Sequence, residues 1–118
     1  MDYRTDSPQL LLDFLSYHET IKAHSQRTVD EYYLDMRNFF RYLKQQRDPA
    51  LAGKALDEID IREVDIDFIS RITLTDIYSY MTYLSRDRAQ HHNSEISKKG
   101  LNAAARARKL GTIRSFFN

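Results

Sequence analysis

Residues 25–47 read SQRTVDEYYLDMRNFFRYLKQQR, and this stretch decides the fold. Val29, Tyr32, Tyr33, Met36, Phe39, Phe40 and Leu43 recur at helical spacing and form a wide apolar stripe over about four turns. Arg27, Glu31, Asp35, Asn38, Arg41 and Tyr42 fall on the other face. Ser25 is a good N-cap, because its hydroxyl can accept one of the N–H groups that a first helical turn leaves unpaired. Pro49 forbids simple continuation beyond Gln45-Gln46-Arg47-Asp48.

Upstream, Leu11, Phe14, Leu15, His18 and Ile21 make a second helical stripe, predicting a helix over Ser7–Lys22 with Ser7 as cap and Pro8 in the first turn. Downstream, residues 48 to 72 are less regular. Asp48-Pro49 and Gly53 signal turns, and Ile59, Ile61, Val64, Ile66, Phe68 and Ile69 anchor a connector with a short helical turn near Asp65–Ile69. A strand over Glu58–Ile66 would have nothing to pair with. Thr73-Leu74-Thr75-Asp76 has the form of a capping box and opens a helix whose stripe is Ile77, Tyr80, Met81 and Leu84, ending near Arg86–Arg88. Residues 89 to 100 read as a polar loop. A last helix begins at Asn102. Ala103, Ala107, Leu110, Ile113 and Phe117 are its expected core face, with Arg108, Thr112 and Ser115 opposite, bordered by Ala104, Ala105 and Gly111. Arg106 and Arg114 lie at the edges of the apolar arc and should snorkel outward. No stop signal follows Phe116-Phe117-Asn118, which predicts a helix that continues past the last residue.

The whole is 118 residues, the size of one domain with one modest core, and the expected class is all-α. Glycine and proline together fill only five positions, which argues against turn-rich all-β and low-complexity chains. Cysteine is absent, excluding a disulfide framework, a thiolate nucleophile and a cysteine-based zinc site. No apolar run approaches the ~18 residues of a membrane span. Met1-Asp2-Tyr3-Arg4 lacks the order of a signal peptide, so an intracellular, cytoplasmic domain without a membrane partner is expected. His91-His92 is a tempting metal pair, but adjacent side chains diverge and no third ligand is near, so no metal or other cofactor is expected. No Gly-rich phosphate loop occurs, and no converging acids or nucleophile point to catalysis.

Charge is segregated although the net value is only +1. Asp57, Glu58, Asp60, Glu63, Asp65 and Asp67 face one base, Arg62, whereas Lys98, Lys99, Arg106, Arg108, Lys109 and Arg114 have no acid among them to the end of the chain. A second basic set lies between Lys22 and Arg47. A helix face of Ala104, Ala105, Arg108, Gly111, Thr112 and Ser115 is basic yet small, so its backbone can sink into a major groove ~12 Å wide. Arg106, Lys109 and Arg114 would flank the groove, and Lys98 and Lys99 would close from the preceding loop. Ser25, Arg27 and Thr28 open a helix whose N-terminal N–H groups and dipole favour phosphate. A helical protein-interaction module is the alternative, with Phe116 and Phe117 as its adhesive end. The gap of about 15 residues before the last helix is too long for a helix-turn-helix, whose turn is about 3–4 residues.

Three motifs extend this reading. Ser25-x-Arg27-Thr28-(x3)-Tyr32 followed by Met36, Phe39 and Phe40 resembles the opening helices of tyrosine recombinases. Ile72-Thr73-(x2)-Asp76-Ile77-(x2)-Tyr80 resembles a later helix of that family. Ala105-Arg106-Ala107-Arg108-Lys109-Leu110-(x2)-Ile113-Arg114-Ser115-Phe116-Phe117 resembles a third, in the family's order. The chain is similar to the N-terminal core-binding domain of phage-integrase-type, Xer-like recombinases. The resemblance implies a SAM-like orthogonal bundle of four to five helices over residues 1–118, gripping one face of a recombination half-site in double-stranded DNA. It implies a separate C-terminal catalytic domain as partner, assembly into a tetramer only on DNA, and a bacterial or phage origin. This chain would then bind DNA without cutting it, with Ser25, Arg27, Thr28, Arg108, Lys109, Thr112 and Arg114 as contacts. Gly111 departs from the family's small hydroxyl at that position.

Overall fold

The computed structural model describes residues 1–86 and 102–117. Every regular element among them is helical: α1 (Gln9–Thr20), α2 (Gln26–Arg47), α3 (Ile66–Ser70), α4 (Leu74–Ser85) and α5 (Ala103–Phe117), with 3₁₀ turns at Tyr3–Thr5, Pro49–Leu51 and Leu56–Glu58. The expected all-α class is observed. By contact the chain divides into two compact units, Met1–Arg71 and Ile72–Asn118. The expected loop over residues 89 to 100, including His91-His92, lies outside the described residues.

In the first unit α1 packs on α2. Leu11, Leu15 and His18 are buried on α1. The cap differs from expectation: Pro8 holds an extended ψ of 160°, and its carbonyl accepts from the Leu11 and Leu12 N–H groups at 3.0 and 3.1 Å. Helical dihedrals therefore start at Gln9, one residue too far along for Ser7 to reach the first turn. Ile21 also leaves the predicted stripe and is 70% exposed, because α1 ends at Thr20 and the period ends with it.

On α2 the stripe is as predicted. Val29, Tyr33, Met36, Phe39, Phe40 and Leu43 are buried and Tyr32 is half-buried. Asp35, Arg41 and Tyr42, expected on the outer face, are buried too. This 22-residue helix is covered from more than one side, by α1 and by the 3₁₀ turns that follow it. Burial, then the neighbouring Arg37 charge, lowers the Arg41 pKa from its ordinary value. The helix ends at Arg47, and the Asp48 carboxylate caps the next turn by accepting from the Ala50 N–H at 3.0 Å.

The connector buries Ile59, Ile61 and Val64 while Asp60, Arg62 and Glu63 stay outside. It contains no strand. Asp65 caps α3 through the Phe68 N–H at 3.0 Å, and Arg47 closes the other end with bonds to the Phe68 and Arg71 carbonyls at 3.3 and 2.9 Å. The Arg47 guanidinium also lies over the Phe68 ring, 4.5 Å from its centroid.

In the second unit α4 packs with α5. Thr73 and Asp76 form the predicted capping box: Thr73 Oγ1 accepts from the Asp76 N–H at 3.2 Å, and Asp76 Oδ2 from the Thr73 N–H at 2.9 Å. Tyr80 and Leu84 are buried, with Ile77 and Met81 half-buried beside them. Asn102 caps α5 as predicted, its Oδ1 accepting from the Ala105 N–H at 2.8 Å.

Candidate nucleic-acid interface

Two regions carry the predicted contacts, one in each unit. The first is the α1–α2 turn and the start of α2. Residues 21–27 are all exposed. Ser25 caps the helix: its Oγ accepts from the Thr28 N–H at 3.2 Å and donates to Thr28 Oγ1 at 3.1 Å. Capping thus engages both hydroxyls and the Thr28 N–H. The Arg27 side chain is 90% exposed, with its Nε 3.7 Å from Glu31 one turn on, a surface pair of small energetic weight. Ala23 adopts φ 54° in this turn, the left-handed region that alanine seldom occupies. Behind it His18 and His24 stack at 5.2 Å, with Tyr32 edge-on to both.

The rest of the second basic set does something else. Arg37 and Arg41 meet the Asp6 carboxylate at 3.3 and 3.6 Å. Lys44 donates to the Asp60 carbonyl at 2.6 Å and pairs with Glu63. Arg47 clamps α3. These four cations tie flanking segments to α2, and of them only Arg47 is exposed. The acidic connector is engaged in the same way: Asp60 with Arg62 at 2.9 Å and Asp67 with Arg71 at 3.0 Å, besides Glu63 with Lys44. Hydrogen bonds from the Arg62 side chain and backbone hold the Asp60 carboxyl at about 2.

The second region is α5, and here the predicted facing is corrected. Lys109 and Thr112 are buried, and Ala105, Arg106 and Ser115 are half-buried. Ala103, Ala107 and Phe117, expected in the core, are exposed, whereas Ile113 is buried and Leu110 half-buried. The helix is turned about its axis relative to the wheel. The exposed side is Ala103, Ala104, Ala107, Arg108, Gly111, Arg114 and Phe117, still small and cationic up to the terminal phenylalanine. A β-carbon built on Gly111 meets nothing within 4 Å, so this glycine faces open space. Of the sequence-predicted residues, Ser25, Arg27, Arg108 and Arg114 are exposed and Thr28 and Arg106 half-exposed. Lys109 and Thr112 do not reach the surface, and Lys98 and Lys99 lie outside the described residues. Ala103 and Ala107, which the sequence reading placed in the core, are the additions to this side. Among the described residues no three His, Asp or Glu side chains converge so as to hold a metal ion, and no helix is long and apolar enough to cross a membrane.

Comparison with known proteins is consistent with the motif reading. Over 111 residues, 94% of this chain, it is 38% identical to tyrosine recombinase XerC of Caldanaerobacter subterraneus subsp. tengcongensis. The matched stretch covers 28% of that protein's length. No family model matches the chain, and no solved structure matches it.

Proposed function

We propose, from the premise that this chain is related to the tyrosine recombinases over a domain-length stretch, that it is a DNA-gripping module without catalytic groups of its own. In this reading it has the SAM-like, core-binding role and lies against one face of a recombination half-site, while a C-terminal catalytic domain supplies strand cleavage and tetramers form only on DNA. The observation that carries the reading is the exposed side of α5. Ala104, Ala107 and Gly111 keep it low, and Arg108 and Arg114 give it charge. Such a surface lets backbone approach backbone, with guanidinium groups reaching phosphate oxygens or a guanine edge. Ser25, Arg27 and Thr28 add a second anchoring point at the α2 N-terminus. Lys109 and Thr112 drop out as direct contacts.

The test is duplex binding by the Arg108→Ala/Arg114→Ala variant. Loss of two phosphate contacts should weaken binding at low salt and lower the slope of log K against log salt by about 0.9 per contact. The fold should persist, because both side chains are exposed. Unchanged affinity and slope in a folded variant refute the α5 assignment. A second reading, a helical protein-interaction module, draws on Leu74 and Tyr78, one turn apart on α4 and 62% and 63% exposed. It predicts concentration-dependent association without DNA, abolished by Leu74→Glu.

A further inference from the structure

Ahead of α1, residues 1–8 lie along one polar stripe of α2. The Tyr3 hydroxyl donates to Asp30 Oδ1 and accepts from Gln26 Nε2 at 2.6 Å. Its ring is 4.9 Å from that of Tyr33. Asp6 enters next. Its Oδ1 accepts from the Tyr33 hydroxyl at 2.6 Å, and its Oδ2 faces Arg37 Nη1 at 3.3 Å and Arg41 Nη2 at 3.6 Å. Arg37 also donates to the Tyr33 oxygen at 3.0 Å. One carboxylate thus bridges two guanidinium groups and a phenol, and Asp57 is the other acid whose charge acts on Arg41. The match is incomplete: Arg37 Nε, Arg41 Nε and the Ser7 hydroxyl are buried without a hydrogen-bond partner. Arg41 and Ser7 are both more than nine-tenths buried. Buried donors left without acceptors make the docked segment less favourable than its contacts alone suggest. The cluster is not sealed, because the Asp6 and Arg37 side chains keep 28% and 24% of their exposure.

We propose that Tyr33, Arg37 and Arg41 form an oxyanion site which residues 1–8 occupy in cis through Asp6, and that an external oxyanion takes the place of that carboxylate when the segment lifts. The geometry is that of oxyanion recognition: two guanidinium groups one helical turn apart and a hydroxyl donor converge on a single pair of carboxylate oxygens. A free carboxylate or phosphate and a nucleic-acid phosphate share this chemistry. Independent of the DNA reading, the site sits on α2 and uses none of the exposed α5 residues.

The experiment is chemical rescue. Asp6→Ala should lower Tm, and formate should restore it saturably, beyond chloride at equal ionic strength, with no formate-specific shift in the unaltered chain. Adding Arg37→Gln should weaken the formate response roughly tenfold, as expected for loss of one charge-assisted hydrogen bond. Should Asp6→Ala fail to fold, Asp6→Asn keeps the shape and removes the charge; amides of residues 3–7 should then exchange faster than those of α2, and inorganic phosphate should shift the Tyr33 and Arg37 signals. Absence of any anion-specific response in the folded variants overturns the proposal. Duplex affinity distinguishes the sources: tighter duplex binding by the Asp6 variant assigns the site to backbone phosphate, and an unchanged duplex affinity beside formate and phosphate responses assigns it to free oxyanions.

Discussion

Replacing Gly111 with alanine separates what α5 needs for its own stability from what it would need to lie against a duplex. Gly111 is an interior residue of this 15-residue helix, where glycine costs about 1 kcal/mol relative to alanine through backbone entropy. The cost could be justified if a neighbour left no room for a side chain, but a β-carbon at this position meets nothing within 4 Å. The substitution should therefore add about 1 kcal/mol and raise Tm by roughly 4–6 °C for a chain of this size. Thermal unfolding followed by helical circular dichroism reads this shift, and urea unfolding checks that the midpoint moves while the slope does not. The duplex affinity should move the other way. A methyl group on the low side between Arg108 and Arg114 would hold the helix off the DNA, costing about 1 kcal/mol or more, or roughly fivefold in Kd. A lower Tm would mean that the position is packed and the facing of α5 misassigned. A raised Tm with unchanged duplex affinity would mean that DNA does not approach this side of the helix.

Further measurements address the first unit and the helix caps. Ala23→Gly should stabilise by up to about 1 kcal/mol in urea, because relief of the left-handed conformation outweighs glycine's added unfolded-state entropy. Thr73→Ala should cost about 1 kcal/mol by removing one side of the α4 capping box, whereas Thr73→Ser should retain most of it. Stability should also fall in mild acid. Burial, with the His24 and Lys22 charges adding to it, lowers the His18 pKa below its ordinary value. The unfolded chain takes up a proton near pH 6.5 while the native chain still resists it, so unfolding free energy declines below about pH 6.5 and levels off once the native value is passed. The urea midpoint measured from pH 7.5 to 5 should follow this course, and His18→Phe should flatten it.

The parts of the fold legible in sequence share a physical property: a strong local contrast. Val29, Tyr33, Met36, Phe39, Phe40 and Leu43 are large, recur at one period and are buried together. Thr73 and Asp76 satisfy each other within a single turn, so their capping box needs nothing distant. The misread positions depend on partners far along the chain. Arg41 looks like an outward residue until Asp6, 35 positions earlier, is brought beside it, and no helical period encodes that meeting. The same holds for Lys44, whose acceptors Asp60 and Glu63 come from the connector. Four cations that composition adds to a basic surface are in fact clamps between segments.

In α5 the contrast itself is weak. Alanines occur on every side of the helix and Arg106, Arg108, Lys109 and Arg114 point to all quarters of the wheel, so charge and hydropathy leave its rotation undetermined. Whichever way such a helix turned, some cation would face outward, and an exposed positive charge is therefore weak support for DNA binding. Smallness is the more discriminating property. On the exposed side Ala104, Ala107 and Gly111 occupy successive turns with no bulky side chain between Arg108 and Arg114, while Lys109 and Thr112 are turned inward. Ordinary solvated helix faces favour long charged side chains, which improve solubility and helix propensity together. A side that forgoes them, and keeps a glycine where packing demands none, bears a stability cost that close approach by another surface would explain. On the proposed DNA-gripping reading, Arg108 and Arg114 would supply the preference for an anionic surface, and the small residues would set how near it can come.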